Sequence, residues 1–262
     1  MIVGMAVCPG APLLVPGLAP ALAGSLPELG RACRAAVQSL AGADRLLLVA
    51  GGPRVRDAAA GPTRPEVFGP GTAVSAASLL RSRAPDAFRT VLPGVAPSAA
   101  DRNGGPQPGI GMVVGAALID AAGITAPTTG VQLPALRNSM SPADEQVIER
   151  VLRAASDSTD RVGLLMIGEG SASRGADSPG GGDVRAGRFD EELLAAMAAP
   201  DPHRLAALLE STPRPDELLF TAGPVFQALT RLVGARPPSG SAVLFSGAPL
   251  GVGYLVVVWS WL

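Results

Sequence analysis

The chain has 262 residues, a formal net charge of −1 and one histidine, and all 21 of its basic residues are arginines. Balanced charge provides no global field that attracts nucleic acid or an anionic membrane, and the absence of lysine excludes Schiff-base chemistry and a P-loop lysine. One histidine and two cysteines are too few for a structural zinc site, which needs about four ligands.

Apolar runs at both ends of the chain are too short or too interrupted to be targeting or membrane segments. The N-terminal run lacks a positively charged segment and is broken by Pro9, Pro12 and Pro16. The run from Tyr254 to Leu262 is far shorter than the roughly 20 residues of a membrane span. Two cysteines make no disulfide framework. We therefore expect a cytoplasmic protein that contacts neither membrane nor nucleic acid.

Apolar runs predict strands and helical spacing of apolar residues predicts helices along the first half of the chain. The predicted strands are Ile2 to Val7, Leu46 to Ala50 and Thr128 to Leu133. The predicted helices are Leu26 to Leu40, Ala73 to Arg83 and Val113 to Ala122, the last of which is closed by Gly123. Residues 57–108 are otherwise rich in proline, glycine and alanine.

The second half continues the alternation of strands and helices. A helix starting with Ser141-Pro142 and running to about Ala155 precedes a buried strand, Val162 to Ile167. The later predictions are helices at Phe189 to Ala198 and His203 to Leu209, one or two helices within Asp216 to Val233, and strands at Ala242 to Ser246 and Gly253 to Trp259. This order predicts one α/β domain over residues 1–262, with a mostly parallel or mixed sheet covered by helices on both faces.

The segment after the strand Val162 to Ile167 is the main candidate for a binding cleft. Ligands of open α/β sheets bind outside the carboxyl ends of the strands. The predicted cleft-lining residues in this segment are Gly168, Gly170, Ser171 and Ala172. The segment is not a dinucleotide fingerprint, because Ser173 replaces the third glycine and no helix is predicted to begin there. The alternative to a nucleotide site, a flexible surface loop with two tight-turn glycines, is favoured.

Two side chains beside predicted strand ends are candidate catalytic groups. Cys8 is a candidate nucleophile at the end of the first strand, and Glu169 is a candidate general base. The cysteine lacks a clear basic partner, because His203 falls at an exposed helix start. Cys33 lies on the apolar face of a helix and is predicted to be core.

Loops after the first two strands complete the predicted cleft. Its remaining lining residues are Pro9, Gly10, Gly51, Gly52 and Arg54. Arg54 and Arg56 can either bind an anion through a bidentate fork or face solvent. Glu169, Asp177 and Asp183 can form a metal site of carboxylates alone, or they can be three solvated acidic side chains. The second interpretation is favoured. The sequence thus predicts no metal site.

Several landmarks occur in an order that resembles the class III extradiol ring-cleaving dioxygenases of the LigB type and, less closely, the Memo group. Cys8 to Leu14, CPGAPLL, resembles the family's HPPLL opening. Leu46 to Arg54 resembles its strand ending in Ser-Pro-His, and Leu164 to Ala172 resembles its strand ending in Ser-Gly-Asp-x-Ser-His. The closing elements match at Phe189-Asp190, Gly223 to Ala235 and Gly251 to Tyr254.

The resemblance implies non-haem Fe(II) held by two histidines and one carboxylate, with a further histidine as acid and base. In this chain the family's positions hold other residues. The two ligand histidines fall near Gly10 and at Gly52 or Arg54, the acid/base histidine falls at Ala172, and the ligand Glu falls near Val225. Glu169 stands where the family has Asp. A single histidine cannot supply these groups, so no cofactor is predicted.

Three hypotheses follow from the sequence. The first is a metal-free relative of these dioxygenases that binds a small molecule or a protein partner in the inherited cleft. The second is an enzyme with different chemistry there, using Glu169 or Cys8, with Arg54 holding an acidic substrate. The third is a structural subunit that pairs with another chain, and a homo-oligomer is expected because the related enzymes assemble as oligomers.

Overall fold

The computed structural model describes residues 1–15, 26–51, 66–68, 109–133, 159–210, 215–233 and 237–261, together with Gln146, Glu149 and Arg153. The predicted helix from Ala73 to Arg83 lies outside the described residues, as do most positions of the helix predicted after Ser141. The three isolated residues are helical, and Arg153 pairs with Glu149 one turn earlier.

Seven strands form one mixed sheet in the described part of the chain. They are β1 (Ile2–Cys8), β2 (Arg45–Gly51), β3 (Glu66–Phe68), β4 (Thr128–Leu133), β5 (Val162–Ile167), β6 (Gly240–Gly247) and β7 (Tyr254–Ser260). Their spatial order is β3-β4-β2-β5-β1-β7-β6. The four central strands are parallel, and the outer three pair antiparallel. The predicted α/β class is confirmed, and β3 is a strand that the sequence patterns did not predict.

Five helices and two short 3₁₀ turns account for most of the other described elements. The helices are α1 (Pro27–Gln38), α2 (Ile110–Ala121), α3 (Val184–Ala198), α4 (Pro202–Leu209) and α5 (Gly223–Val233), and the turns are Pro12–Leu14 and Pro215–Leu218. No helix in these described ranges is long and apolar enough to cross a membrane.

Helix α3 begins at Val184, so the predicted start at Phe189 is wrong. Asp183 caps the helix, because its carboxylate accepts the Arg185 N–H at 2.8 Å. The Arg185 side chain also donates to this carboxylate, and together these hydrogen bonds lower the pKa of Asp183 to about 2. The first turn carries few apolar residues, which is why periodicity alone placed the start too late.

The helices cover both faces of the sheet, as predicted, and bury one core on each face. Helices α1 and α2 pack on one face, over a core that contains Cys33 and Ile167. Helices α3, α4 and α5 pack on the other face, over a core that contains Met166 and Trp259. Successive residues of β5 therefore face different cores, because strand side chains alternate between the faces.

Candidate functional site

The carboxyl ends of β1 and β5 mark a point where the chain leaves the sheet in opposite directions. After β1 it continues to α1 on one face, and after β5 it continues to α3 on the other face. These two strands are neighbours in the sheet. A crevice at such a topological switch point is the usual binding position of open α/β sheets.

The loops after β1 and β5 are joined by two hydrogen bonds at this point. The Gly168 N–H donates to the Cys8 carbonyl at 2.9 Å, and the Gly10 N–H donates to Oε2 of Glu169 at 2.8 Å. A Cβ atom added to Gly10 would lie 3.2 Å from that same oxygen. The Glu169 carboxylate is therefore seated on the backbone of the β1 loop, with its side chain only partly buried.

Tyr254 is the first residue of β7, which pairs antiparallel with β1 and therefore begins at the same edge of the sheet. The residue is 7% exposed. Burial raises the pKa of Tyr254, and the negative charge of Glu169 raises it further. The charge of one carboxylate thus acts on a phenol that is distant in sequence.

We expect the Tyr254 phenol to titrate above its ordinary pKa of about 10 and to titrate at a lower pH in the Glu169→Gln variant. Glutamine removes the charge that opposes the phenolate but keeps an oxygen for the Gly10 N–H. The pKa should stay above its ordinary value in the variant, because burial is the larger cause. Tyr254 is the chain's only tyrosine, so near-ultraviolet absorbance of tyrosinate reads this group alone.

Circular dichroism recorded at each pH serves as the control that the fold persists during the titration. Glu28→Gln removes an exposed carboxylate from α1 and should leave the phenol's midpoint where it is. An unchanged midpoint in Glu169→Gln would contradict the placement of these two groups together.

The carboxyl end of β2 is closed by the starts of two helices. A Cβ added to Gly111, in the first turn of α2, would lie 3.3 Å from the Gly51 carbonyl oxygen. A Cβ added to Gly51 would lie 3.8 Å from the Thr221 carbonyl oxygen, just before α5. Gly51 therefore lies at the predicted edge, whereas Gly52 and Arg54 lie outside the described residues.

A second polar cluster lies on the α3 side of the loop after β5. Asp190 of α3 accepts the Ser171 N–H at 2.7 Å through Oδ1 and the Ser171 hydroxyl at 2.9 Å through Oδ2. Two glycines enclose this carboxylate, since a Cβ on Gly170 would lie 2.5 Å from Oδ1 and a Cβ on Gly253 would lie 2.7 Å from Cγ. The carboxylate thus joins α3 to the loop after β5 and packs closely against Gly253, just before β7.

A small pocket of about 70 Å³ opens beside this cluster, and Arg174, Asp190 and Glu191 are among the residues that line it. The Arg174 Nε atom lies 3.8 Å from Oδ2 of Asp190. Burial raises the pKa of Asp190, and the Ser171 hydrogen bonds and the Arg174 charge offset part of this rise. The pocket wall therefore carries both signs of charge within a few ångströms.

The predicted cleft residues divide between the crevice and the protein interior. Glu169 and Gly10 meet directly, and buried Pro9 precedes them in the β1 loop. Gly168 and Gly170 are buried, and Ser171 and Ala172 are 0% exposed. The interpretation of this segment as a surface loop is wrong for residues 170–173, which are buried and bonded through their backbone to Gly253 and Leu218. These backbone hydrogen bonds join segments that are distant in sequence, so they form only in the folded chain. The interpretation holds for residues 174–177, most of which are exposed.

Cys8 is a core thiol in this structure. The side chain is fully buried, and its Sγ lies 4.0 Å from the Cys33 carbonyl oxygen. The neighbouring Cys33 thiol and burial both raise the pKa of Cys8 well above its ordinary value. A nucleophilic cysteine needs the opposite, a lowered pKa and access to substrate, so the geometry argues against this role. Cys33 is buried in the core, as predicted.

The side chains at the family's iron-binding positions do not fit an iron site. Gly10 offers no donor atom, Ala172 and Val225 are buried apolar residues, and His203 is exposed at the start of α4. Across the described ranges, no three His, Cys, Asp or Glu side chains cluster in a way that would hold a metal ion. Asp183 instead forms an ion pair with Arg185.

Sequence patterns missed Asp190, Arg174 and Tyr254 as site residues. A signal for Asp190 existed, because it falls on the apolar stripe of α3, between buried Ala186 and Leu193. An acidic residue on such a stripe indicates a buried polar contact. Tyr254 carried no comparable signal, since a tyrosine at a strand start is common in cores.

Fold and site together define an α/β protein with a mixed sheet and a candidate crevice at its switch point. No protein-family model matches the chain, and no curated protein matches its sequence. Among solved structures the chain is similar to an uncharacterised protein of Escherichia coli K12, JW3007. The two share 14% sequence identity over 98% of this chain and 99% of that chain, with a TM-score of 0.52. At this identity the likeness shows the fold alone.

Proposed function

We propose that this chain is a metal-free relative of the LigB-type dioxygenases that binds a small molecule at the crevice between β1 and β5. The observation that carries the proposal is the Glu169 carboxylate, held by the Gly10 N–H at the switch point of the sheet. An acidic side chain fixed by backbone at this position is suited to contacting a ligand.

The neighbouring groups favour a ligand that donates hydrogen bonds. The carboxylate of Glu169 is an acceptor, and the neutral Tyr254 phenol can donate or accept. A hydroxylated ring or a small amine would donate a hydrogen bond to the carboxylate and place its apolar part against the residues at the strand ends. Iron-dependent ring cleavage is outside the proposal, because the family's histidines are absent from the sequence.

Ligand binding is tested by calorimetry and thermal shift with catechol, small phenols and small amines. We expect at least one of these classes to bind the wild-type protein and to bind Glu169→Gln at least about tenfold more weakly, since a charge-assisted hydrogen bond is lost. Glu28→Gln is the matched control and should bind as the wild type does. A ligand that binds both Glu169 forms equally well would contradict the proposed site.

Metal analysis and oxygen uptake test the metal-free part of the proposal. The protein is purified after expression with ferrous salt, and its iron content and catechol-dependent oxygen uptake are measured. We expect iron far below one atom per chain and no uptake above buffer. Stoichiometric iron together with catechol-dependent uptake would overturn this part.

A second candidate function is an enzyme that uses Glu169 as a general base in the same crevice. Glu169 and Tyr254 lie at the same edge of the sheet and interact electrostatically, which favours this function. Interacting titratable groups at a candidate site are typical of sites of proton transfer. Turnover of a bound ligand that is lost in Glu169→Gln, with binding of its product retained, would support this function. We also propose a cytoplasmic location, which is supported by the free thiols of Cys8 and Cys33, since a reducing compartment keeps thiols reduced.

A further inference from the structure

Strand β6 is one edge of the sheet. Its inner side pairs with β7 in antiparallel register from Gly240 to Gly247. Among the strands that the structure describes, none pairs with its outer side. An edge strand presents a row of outward N–H and C=O groups that can pair with a further strand.

The sequence of β6 lacks most of the features that prevent edge pairing. The segment from Ser239 to Ala248 contains no proline, and no charged side chain follows Arg236. The strand is 8 residues long, whereas protective edges are short, charged or proline-containing. The protective feature present is a β-bulge between Val243 and Phe245.

Apolar side chains are exposed along this edge, and helices flank it on both faces. Val243 and Leu244 are 40% and 41% exposed. On one face, the Ser241 hydroxyl donates to the Met197 carbonyl of α3 at 3.1 Å. On the other face, Phe245 packs toward the core beneath α1. The edge therefore ends in three layers, with β6 between α1 and α3.

We propose that a second copy of this chain pairs with β6 about a twofold axis, with the two β6 strands antiparallel, so that one sheet runs through both copies. A second copy supplies an uncharged strand of equal length, and the twofold axis places the same apolar residues on both sides. A charged partner segment would instead bury its charge against Val243 and Leu244, which is unfavourable.

The area of this face is sufficient for a stable dimer. Eight residues at about 3.3 Å each give a strand about 26 Å long. The second dimension of the face is its thickness, which is the sheet together with half a helix or more on each side. This thickness is about 25 Å, because a helix is about 10 Å in diameter. The pairing would bury about 1,300 Å² in total, inside the range of about 1,200–2,000 Å² for stable interfaces.

Analytical ultracentrifugation of the full chain at micromolar concentrations tests the proposal. We expect the wild-type protein to sediment with the mass of two chains. Val243→Lys places like charges beside the axis and should raise the dimer dissociation constant at least roughly tenfold, with an unchanged circular dichroism spectrum. Val184→Lys is the matched control, because Val184 is 100% exposed on α3, and it should remain a dimer.

Cysteine cross-linking gives a second measurement that does not depend on Val243→Lys. Ala242 of β6 and Ala121 of α2 are both exposed, whereas the native cysteines are buried. With a short bis-maleimide cross-linker we expect a covalent dimer from Ala242→Cys and none from Ala121→Cys, because residues that flank the axis lie too far apart for a direct disulfide. A wild-type protein with the mass of one chain, or a Val243→Lys variant that assembles like the wild type, would overturn the proposal. A wild-type mass of one chain would mean that another part of the same chain covers the outer side of β6, or that this side stays exposed.

Discussion

Replacing Gly253 by alanine is expected to lower the free energy of unfolding by about 2–4 kcal/mol. The added Cβ would lie 2.7 Å from Cγ of Asp190 and closer still to Oδ2. The carboxylate cannot retreat without breaking the two hydrogen bonds that it accepts from Ser171. Hydrogen bonds to a charged group are among the stronger ones in a folded protein.

Urea denaturation followed by circular dichroism measures this loss, and Gly30→Ala is its matched control. Gly30 lies inside α1, and an added Cβ there would meet nothing within 4 Å. Alanine at that helical position should raise the free energy of unfolding by about 0.5–1 kcal/mol, because glycine loses more backbone entropy on folding. The same substitution should therefore have opposite effects at the two sites. A Gly253→Ala variant as stable as the wild type would show that the carboxylate is not confined.

The second large effect is expected at Asp190 itself. Alanine at this position leaves the Ser171 N–H and hydroxyl, which are buried, without their acceptor. The expected loss is about 2–4 kcal/mol at neutral pH. The side-chain amide of the Asp190→Asn variant keeps an oxygen for the Ser171 N–H, so this variant should lose less stability than the alanine variant.

The Asp190→Asn variant should also change the pH dependence of stability. Burial raises the pKa of Asp190 in the folded protein. The raised pKa contributes to the free energy of unfolding fully at pH values below the unfolded pKa of about 3.9. This contribution is lost as pH rises through the folded pKa. Asparagine does not ionise and escapes that loss. The deficit of the variant relative to wild type should therefore be larger near pH 4 than near pH 7.

Urea midpoints at the two pH values measure this trend, and Asp177→Asn is the control. Asp177 is exposed in the same loop, and its substitution should change stability by no more than about 0.5 kcal/mol. A deficit that grows as pH rises would contradict the assigned direction of the Asp190 pKa shift.

The Asp190 cluster and the crevice share one short segment of backbone. Glu169 is bonded to Gly10 at the candidate crevice, while a Cβ added to the next residue, Gly170, would clash with Asp190. The Gly170 N–H donates to the Gly253 carbonyl, and the Gly253 N–H donates to the Ser171 carbonyl. The buried cluster thus positions the loop that carries the candidate ligand-binding carboxylate.

Local sequence patterns were sufficient to predict the first and last residues of strands that are buried on both faces of the sheet. The predicted bounds of β4 and β5 agree with the structure, because each is a short, largely apolar run ended by a change of composition. Strand β3 was missed because three residues in a proline- and glycine-rich region give no periodic signal. Its pairing with β4 comes from tertiary contact.

The sequence by itself determined the α/β class, the two-sided cover of the sheet and the lack of histidines for an iron site, because these depend on composition and on periods of two and 3.6 residues. Only the tertiary structure decided that Glu169 accepts a hydrogen bond from Gly10, that its charge acts on Tyr254, and that Asp190 accepts hydrogen bonds from Ser171. Those contacts link residues far apart in sequence, and local propensity carries no information about which strand ends meet. The order and pairing of the strands, with the packing of α3 against the sheet, supply that information.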